Sequence, residues 1–575
     1  MTDRTLPAWD LSPIFSGIDG EDFRQTLSSV DALCGSMKAA IDSRLPLKDI
    51  VDIYNRLCAT YETLGAYTST LLSTDTSNAA YLKAVTDVEA KSVALSEVEN
   101  LFVQALGARE AEIDVPELSD YSYVLHHMAE DARHRMSLKE ETLAADLARS
   151  GSSAFSRLFD TITSSLADDG RTLTELRSDA YSPDRALRKS SYEREKKILA
   201  QAREPLAAAL NGIKGSVLTI ESRQGWKSPL EHSAFISRVS MKTLEALVAT
   251  LKSAQPMFRD YFRIKARLLG LDQLAWYDIF APVSVPGACH REYSFADARA
   301  LVVDSYSSFS SQMGEFARKA FDENWIDAAP HKGKVGGAYD TAFPLVGQSR
   351  VFTNFSFDYS SVSTLAHELG HAYHDSVVMS RPALLSSYPM PLAETASIFA
   401  EQILFQKVLS TSSEAEAIPL IESFVSDAAQ VCTDILSRFL FESALFEARK
   451  EGEATADDMC RMMAQAQEES YGDAVADKHE YMWAVKGHYY SADFSFYNYP
   501  YAFGQLFALG LFARSGRDVD FAQKYRTLLS MTGQYSAEDV AASAGCDITS
   551  GAFWQEGIDV IASYVERMKR FADKM

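Results

Sequence analysis

Two histidines four positions apart, with a glutamate directly after the first, stand in the stretch Thr364-Leu-Ala-His-Glu-Leu-Gly-His-Ala-Tyr-His374. On a helix, residues four apart lie one turn apart on the same face, so His367 and His371 can converge on one metal ion. Leu365, Leu369 and Ala372 fall on the opposite side, which makes that face the one that packs. Glu368 is turned by about 100° from His367. That rotation keeps it out of the chelate and leaves it beside the open coordination position, where a general base acts. With 11 histidines among 575 residues, chance supplies about 0.015 such patterns, so accident is a poor account of this one.

A catalytic zinc site needs a third protein ligand, and His374, Asp375, Glu394 and Glu401 are the candidates. His374 shares the face of the pair but stands about 10.5 Å along the axis from His367, too far for the same chelate; a supporting or solvent-facing place suits it better. Glu394 opens a new helical pattern, Leu392-Ala-Glu-Thr-Ala-Ser-Ile-Phe-Ala-Glu401, after Pro389 and Pro391 have broken the chain. A second helix crossing the first can therefore supply the Glu394 carboxylate, with Glu401 orienting a ligand histidine. Two histidines and one glutamate leave a position for water, as catalytic zinc sites require, and imply one Zn2+ per chain.

The elements that position these groups are mostly helices. Apolar residues recur with helical spacing near 21–42, 79–108, 136–149, 184–222, 242–268 and 295–322. Ser182-Pro183-Asp184 offers an N-cap, a first-turn proline and an acid for the start of a long helix. Just before it, Ser165 to Leu173 reads as a hairpin turning at Asp169-Gly170. A second sheet is expected from Gly336 to Phe357, where Val351, Thr353 and Phe355 alternate with Phe352 and Asn354, immediately ahead of the metal helix. Two lobes are expected, an N-terminal helical lobe over 1–190 carrying the hairpin and a catalytic lobe over 191–575.

Composition narrows the partners. A length of 575 residues with 47% hydrophobic content supports a large core. The net charge of -23 would be repelled by nucleic acid and by anionic membranes. Asp3, Arg4 and Asp10 interrupt any signal-like apolar run at the start, and the longest apolar stretch, Tyr501 to Ala513, is shorter than the roughly 18 residues that a membrane span needs. Cys34, Cys58, Cys289, Cys432, Cys460 and Cys546 are scattered without a Cys-x-x-Cys pair, which suits a reducing, cytoplasmic compartment.

Several motifs together resemble the oligoendopeptidase F group of metallopeptidases, distantly related to thimet oligopeptidase. They are Leu6-Pro-Ala-Trp-Asp-Leu-Ser-Pro-Ile-Phe15, Asp168-Asp-Gly170, Asp184-Arg185, Gly333-Lys334 with Gly337-Ala338-Tyr339, the metal helix, Glu394 to Glu401, and a tyrosine-rich segment His488 to Tyr501. The resemblance implies a mainly α, multi-helical clamshell with a deep channel and a small sheet beside the metal helix. It implies internal cleavage of short unstructured peptides, which are the only partners expected. By the same resemblance Tyr499 donates a hydrogen bond to the oxyanion, His488 assists it and Tyr497 contacts substrate; Asp493 replaces a tyrosine of the thimet pattern, so that subsite does not transfer. The strand around Phe352 to Phe355 is expected to pair with extended substrate, with Asn354 and Gly337 as further contacts. In the expected reaction the metal polarises the scissile carbonyl and Glu368 moves the proton from water to the leaving amine. A carboxypeptidase or peptidyl-dipeptidase on a related scaffold and a peptide-binding protein with a structural zinc are the competing readings. Phosphate binding at Gly333-Lys334 lacks the Gly-Lys-Ser/Thr sequence opening a helix.

Overall fold

The computed structural model describes residues 5–287 and 291–574; of the positions used above, Asp3, Arg4 and Cys289 lie outside them. The protein is mainly α. The helical spacing materialises as Glu21–Asp42, Leu138–Ser150, Arg185–Gln224 and Met241–Leu268. The stretches 79–108 and 295–322 each break into two helices, the second pair meeting where the Ser310 side chain caps Ser311–Asp322. The long helix starts later than its Ser182-Pro183 signal suggests. Asp184 is its cap, accepting from the Ala186 amide at 2.9 Å, because a carboxylate at the positive helix end outcompetes a hydroxyl held extended ahead of proline. The hairpin forms as expected, Ala167 pairing with Thr172 and Asp168 with Arg171 around Asp169 and Gly170, both at positive φ.

These elements pack as two compact units. One gathers Met1–Arg133, His290–Thr411 and Arg514–Cys546; the other gathers His134–Cys289, Ser412–Ala513 and Asp547–Met575. Each is assembled from three separated segments, and the boundary expected near residue 190 falls inside the Arg185–Gln224 helix. Consecutive reading cannot anticipate such interleaving, because the contacts that define it are between segments far apart in the chain.

In the first unit, Val30, Met37, Leu57, Leu64, Phe102 and Leu106 form a buried helical core. The same unit holds a three-stranded sheet. Its central strand Gln348–Phe352 runs parallel to Ile326–Asp327 and antiparallel to Tyr339–Phe343, with Tyr339 opposite Phe352. This sheet packs against the helix Tyr359–Val378, which carries the histidine pair. The expected role of Phe352 to Phe355 in pairing with substrate is corrected by the hydrogen bonds. The Thr353 and Phe355 amides bond to the Asp327 and Ala328 carbonyls, Phe352 pairs with Tyr339, and Asn354 donates to the Val335 and Gly337 carbonyls at 3.0 Å each. Among the described residues, Tyr339–Phe343 is the strand of this pair with a neighbour on one side only. Lys334 is likewise spent internally. Its fully buried ammonium donates to Asp327, to the Thr353 carbonyl at 2.7 Å and to the Ala329 carbonyl at 3.1 Å, which leaves nothing for a phosphate.

The second unit is built on Arg185–Gln224, Met241–Leu268, Ile435–Glu451 and Ala456–Tyr471. At its centre Lys214 and Glu442 form an ion pair at 2.8 Å with almost no exposure on either side. Glu442 also accepts from the Phe496 amide at 3.1 Å and from the Asn498 side chain at 2.8 Å, so it fixes the tyrosine-rich segment from below. Removing one partner of a buried pair strands the other charge and costs about 3–5 kcal/mol. Glu442→Ala is therefore expected to lower the urea midpoint of this unit strongly, and the double replacement Lys214→Met with Glu442→Leu by much less than the single one.

Candidate metal centre

The metal helix starts at Tyr359, capped by the Asp358 carboxylate, which accepts from the Ser361 amide at 2.8 Å. Its neighbour in the unit is Thr395–Thr411, the helix that follows Glu394. The two approach closely because residue 370 has no side chain: a Cβ there would lie 2.7 Å from the Ser397 Cα and 2.8 Å from the Ala396 carbonyl oxygen. A glycine inside a helix costs about 1 kcal/mol relative to alanine. Gly370 stands between the two histidines for the sake of this contact.

Across the contact three donors converge. His371 Nε2 lies 3.1 Å from His367 Nε2, and Glu394 Oε2 lies 3.3 Å from the first ring's Nε2, that of His367, and 3.5 Å from that of His371. Ligands held tetrahedrally at about 2.0–2.1 Å from an ion sit about 3.3 Å from one another, so the observed triangle has the dimensions of one face of such a site. These three form the group of donors within 4.8 Å of one another that can hold a metal among the described residues.

The supporting contacts set the protonation pattern. The His367 Nδ1 bonds to Glu401, leaving Nε2 to face the centre. Ser397 donates to Glu394 Oε2 at 2.8 Å. Burial opposes charge on His367, yet Glu401, Glu394 and Glu368 outweigh it and hold the imidazole up to about 9. Burial would raise Glu394, but the contact with His371, the charge of both histidines and the Ser397 hydroxyl bring it down to about 2. Such a pocket, rich in carboxylates with nitrogens facing inward, is built for a cation. Glu368 is only 7% exposed. Burial lifts its proton affinity above that of an ordinary carboxyl; His367 and His371 oppose the shift and Glu394 and Glu401 add to it.

The remaining candidates are placed as follows. His374 is completely buried, stacked on Tyr388 with ring centres 4.2 Å apart and bonded through Nε2 to Thr532 at 2.8 Å. It is neither a ligand nor solvent-facing. Asp375 accepts from the Tyr388 hydroxyl at 2.8 Å. Tyr499, His488 and Tyr497 belong to the other unit. Tyr499 is 1% exposed, and its hydroxyl is engaged with the Ser233 carbonyl at 3.1 Å and the Ser237 hydroxyl at 2.9 Å. His488 has a buried Nε2 without a partner, and burial together with Arg438, Lys486 and Lys214 pulls the ring down to about 3, so it is neutral. Tyr497 is half-buried and meets Tyr501 edge-on with ring centres 5.7 Å apart.

Sequence reasoning missed two contributors, Gly370 and Ser397. A helix-breaking residue kept between two ligands was the available signal for the first, and a hydroxyl three positions after Glu394 for the second.

A mainly α fold with two histidines and a glutamate converging beside a buried glutamate defines a metallopeptidase site. The sequence model of Peptidase family M3 matches residues 179–560, and a second one, described as Oligopeptidase F, matches residues 109–167. The chain belongs to peptidase family M3 and is a metalloendopeptidase of the oligoendopeptidase F group. Group B oligopeptidase PepB of Streptococcus agalactiae is 24% identical over 98% of this chain and 97% of its own length. An oligoendopeptidase F homolog of Lactococcus lactis is also 24% identical, with the same coverage. The crystal structure of oligoendopeptidase-F from Enterococcus faecium shares the fold, with a TM-score of 0.67 at 16% identity over 96% of this chain and 98% of that one.

Two replacements test the geometry. Gly370→Ala forces backbone apart at Ser397, an overpacking worth about 1–3 kcal/mol, and is expected to weaken metal retention against a chelator while the protein stays folded. Glu401→Ala removes the partner of His367 and is expected to lower metal affinity by about 10–100-fold in the same competition assay.

Proposed function

We propose that this enzyme is a zinc endopeptidase that cuts internal bonds of short, unstructured peptides. The observation that carries the reading is the donor triangle of His367, His371 and Glu394, with the buried carboxylate of Glu368 on the helical turn between the histidines. Two imidazoles and one carboxylate suit zinc among the common divalent metals. When bound there, the ion supplies a Lewis acid for the scissile carbonyl and lowers the pKa of water at its open position.

Glu368 takes the proton of the attacking water and delivers it to the leaving amine. Its raised proton affinity suits both halves of that task, since a base that holds its proton weakly is a poor acceptor. Glu401 keeps the His367 ring oriented, and Ser397 does the same for Glu394. The hydrogen bond to the oxyanion falls to the tyrosine-rich segment, with Tyr499, whose hydroxyl also meets Ser233 and Ser237, as its donor. His488, whose neutral ring has an unpartnered nitrogen, is supported for assisting it, and Tyr497 for contact with substrate. The Tyr339–Phe343 strand offers main-chain groups along its open side for an extended peptide, with Gly337 and Asn354 shaping the approach to it.

The preference for oligopeptides rests on the oligopeptidase and oligoendopeptidase relatives. No helix among the described residues is long and apolar enough to cross a membrane. The free thiols of Cys34, Cys58, Cys432, Cys460 and Cys546 support a reducing, cytoplasmic setting.

Glu368→Ala is expected to keep its metal and lose turnover by about a hundred- to ten-thousand-fold, whereas His367→Ala is expected to lose the metal itself. Near-normal turnover in Glu368→Ala would sink the assignment. Mass spectrometry of products from mixed short peptides and an unfolded protein, with chelator and after zinc is restored, is expected to show internal cuts in the short peptides alone. Terminal trimming in that assay would favour an exopeptidase.

A further inference from the structure

The second unit contains a cavity of about 630 Å3 that the chemistry above does not use. Phe159, Tyr181, Tyr192, Trp276 and Phe280 are among the rings that wall it, so most of any ligand body would meet apolar surface. Six ionisable side chains are set into those walls: Asp160, Arg177, Arg188, Glu195, Asp434 and Lys486.

Four of the six are paired within the protein, and Asp160 is exposed. Arg177 pairs with Glu195, which also meets His479 Nε2 at 3.5 Å. Arg188 donates to the fully buried Asp278 at 2.8 Å, and Asp434 pairs with Arg438. The Lys486 ammonium has neither a hydrogen bond nor an ion pair among the described residues. Burial, with the Arg438 and Arg177 guanidiniums beside it, pulls its ammonium down to about 7 against the opposing carboxylates of Asp434 and Glu195. The amine is therefore short of negative charge.

A second side chain without a protein partner lies on the same lining. Gln430 opens a π-helical turn, Gln430–Asp434, and its side-chain amide has no partner among the described residues. Turns of this kind are rare and recur at functional sites. An unpaired ammonium and a free amide donor in an aromatic chamber call for a ligand with one negative charge and an apolar body. A neutral ligand would leave Lys486 bare, and a doubly charged one would carry a surplus into a chamber whose other cations are already matched.

We propose that this cavity binds the C-terminal residue of a peptide, its carboxylate on Lys486 and Gln430 and an aromatic or large apolar side chain against the ring-lined wall. The choice of a peptide as the ligand rests on the reading of the enzyme as a peptidase. The volume accommodates one or two residues, within the usual range for small-ligand sites of roughly 300–1,000 Å3.

Isothermal titration calorimetry on the metal-loaded full-length protein tests this without reading cleavage, so a negative result leaves the peptidase assignment standing. The probes are N-acetylphenylalanine, its C-terminal amide, and 3-phenylpropionate, which carries the same ring and carboxylate without a peptide bond. The acid is expected to bind at least about tenfold more tightly than the amide, with the preference abolished in Lys486→Met and retained in Lys486→Arg. Equal affinity for acid and amide in the unmodified protein would overturn the proposal. So would a preference that survives in a Lys486→Met protein of unchanged melting temperature, because the carboxylate would then be bound elsewhere, the metal centre included. If 3-phenylpropionate binds as tightly as N-acetylphenylalanine, the assignment of the ligand to a peptide terminus is overturned.

Discussion

The metal centre depends on two helices meeting backbone to backbone at Gly370. Side chains at that point would hold the helices apart by the depth of at least one methyl group, and Ser397 and Ala400 stand in the way of even a Cβ. The close approach lets Glu394, at the start of one helix, and Glu401, two turns on, address the same histidine of the other from two sides. Glu394 also sits just ahead of the N-terminus of Thr395–Thr411, where the helix dipole favours a carboxylate.

That packing concentrates negative charge, and the surrounding structure is arranged to tolerate it. Glu401 is used up on His367 and Glu394 is shared among His367, His371 and Ser397. Elsewhere in the same unit, Asp375 is buried under the Tyr388 hydroxyl, and burial together with the Asp375 charge holds the Asp340 carboxyl well above its ordinary range. Asp340 belongs to the Tyr339–Phe343 strand and Asp375 to the metal helix, so this carboxyl pair stands where sheet and helix meet. Glu368 differs from the others in having no fixed partner to neutralise it among the described residues.

In the second unit the corresponding organiser is Glu442. One carboxylate takes the Lys214 ammonium, the Phe496 amide and the Asn498 side chain, and so sets the path of the aromatic segment. On that path Tyr499 points into the packed interior. The same unit leaves the Lys486 side chain without a partner while pairing the other cations on its cavity wall, and an imbalance of that kind is stable only where water or a ligand reaches it.

The sequence by itself determined the helical class, several of the long helices, the Asp169-Gly170 hairpin and the donor set His367, His371 and Glu394. Those features rest on local periodicity and on spacing along one or two adjacent helices, which a linear reading contains. Tertiary structure alone decided the interleaving of the two units, the sheet register that occupies Phe352 to Phe355, the internal use of Lys334 and the seating of Tyr499 against Ser233 and Ser237. Each of these turns on which distant segment supplies the partner: Asp327 and Tyr339 for the strand, residues 233 and 237 for a phenol more than 250 positions later. A side chain's type states what it can bond to, and only the folded chain states what reaches it first.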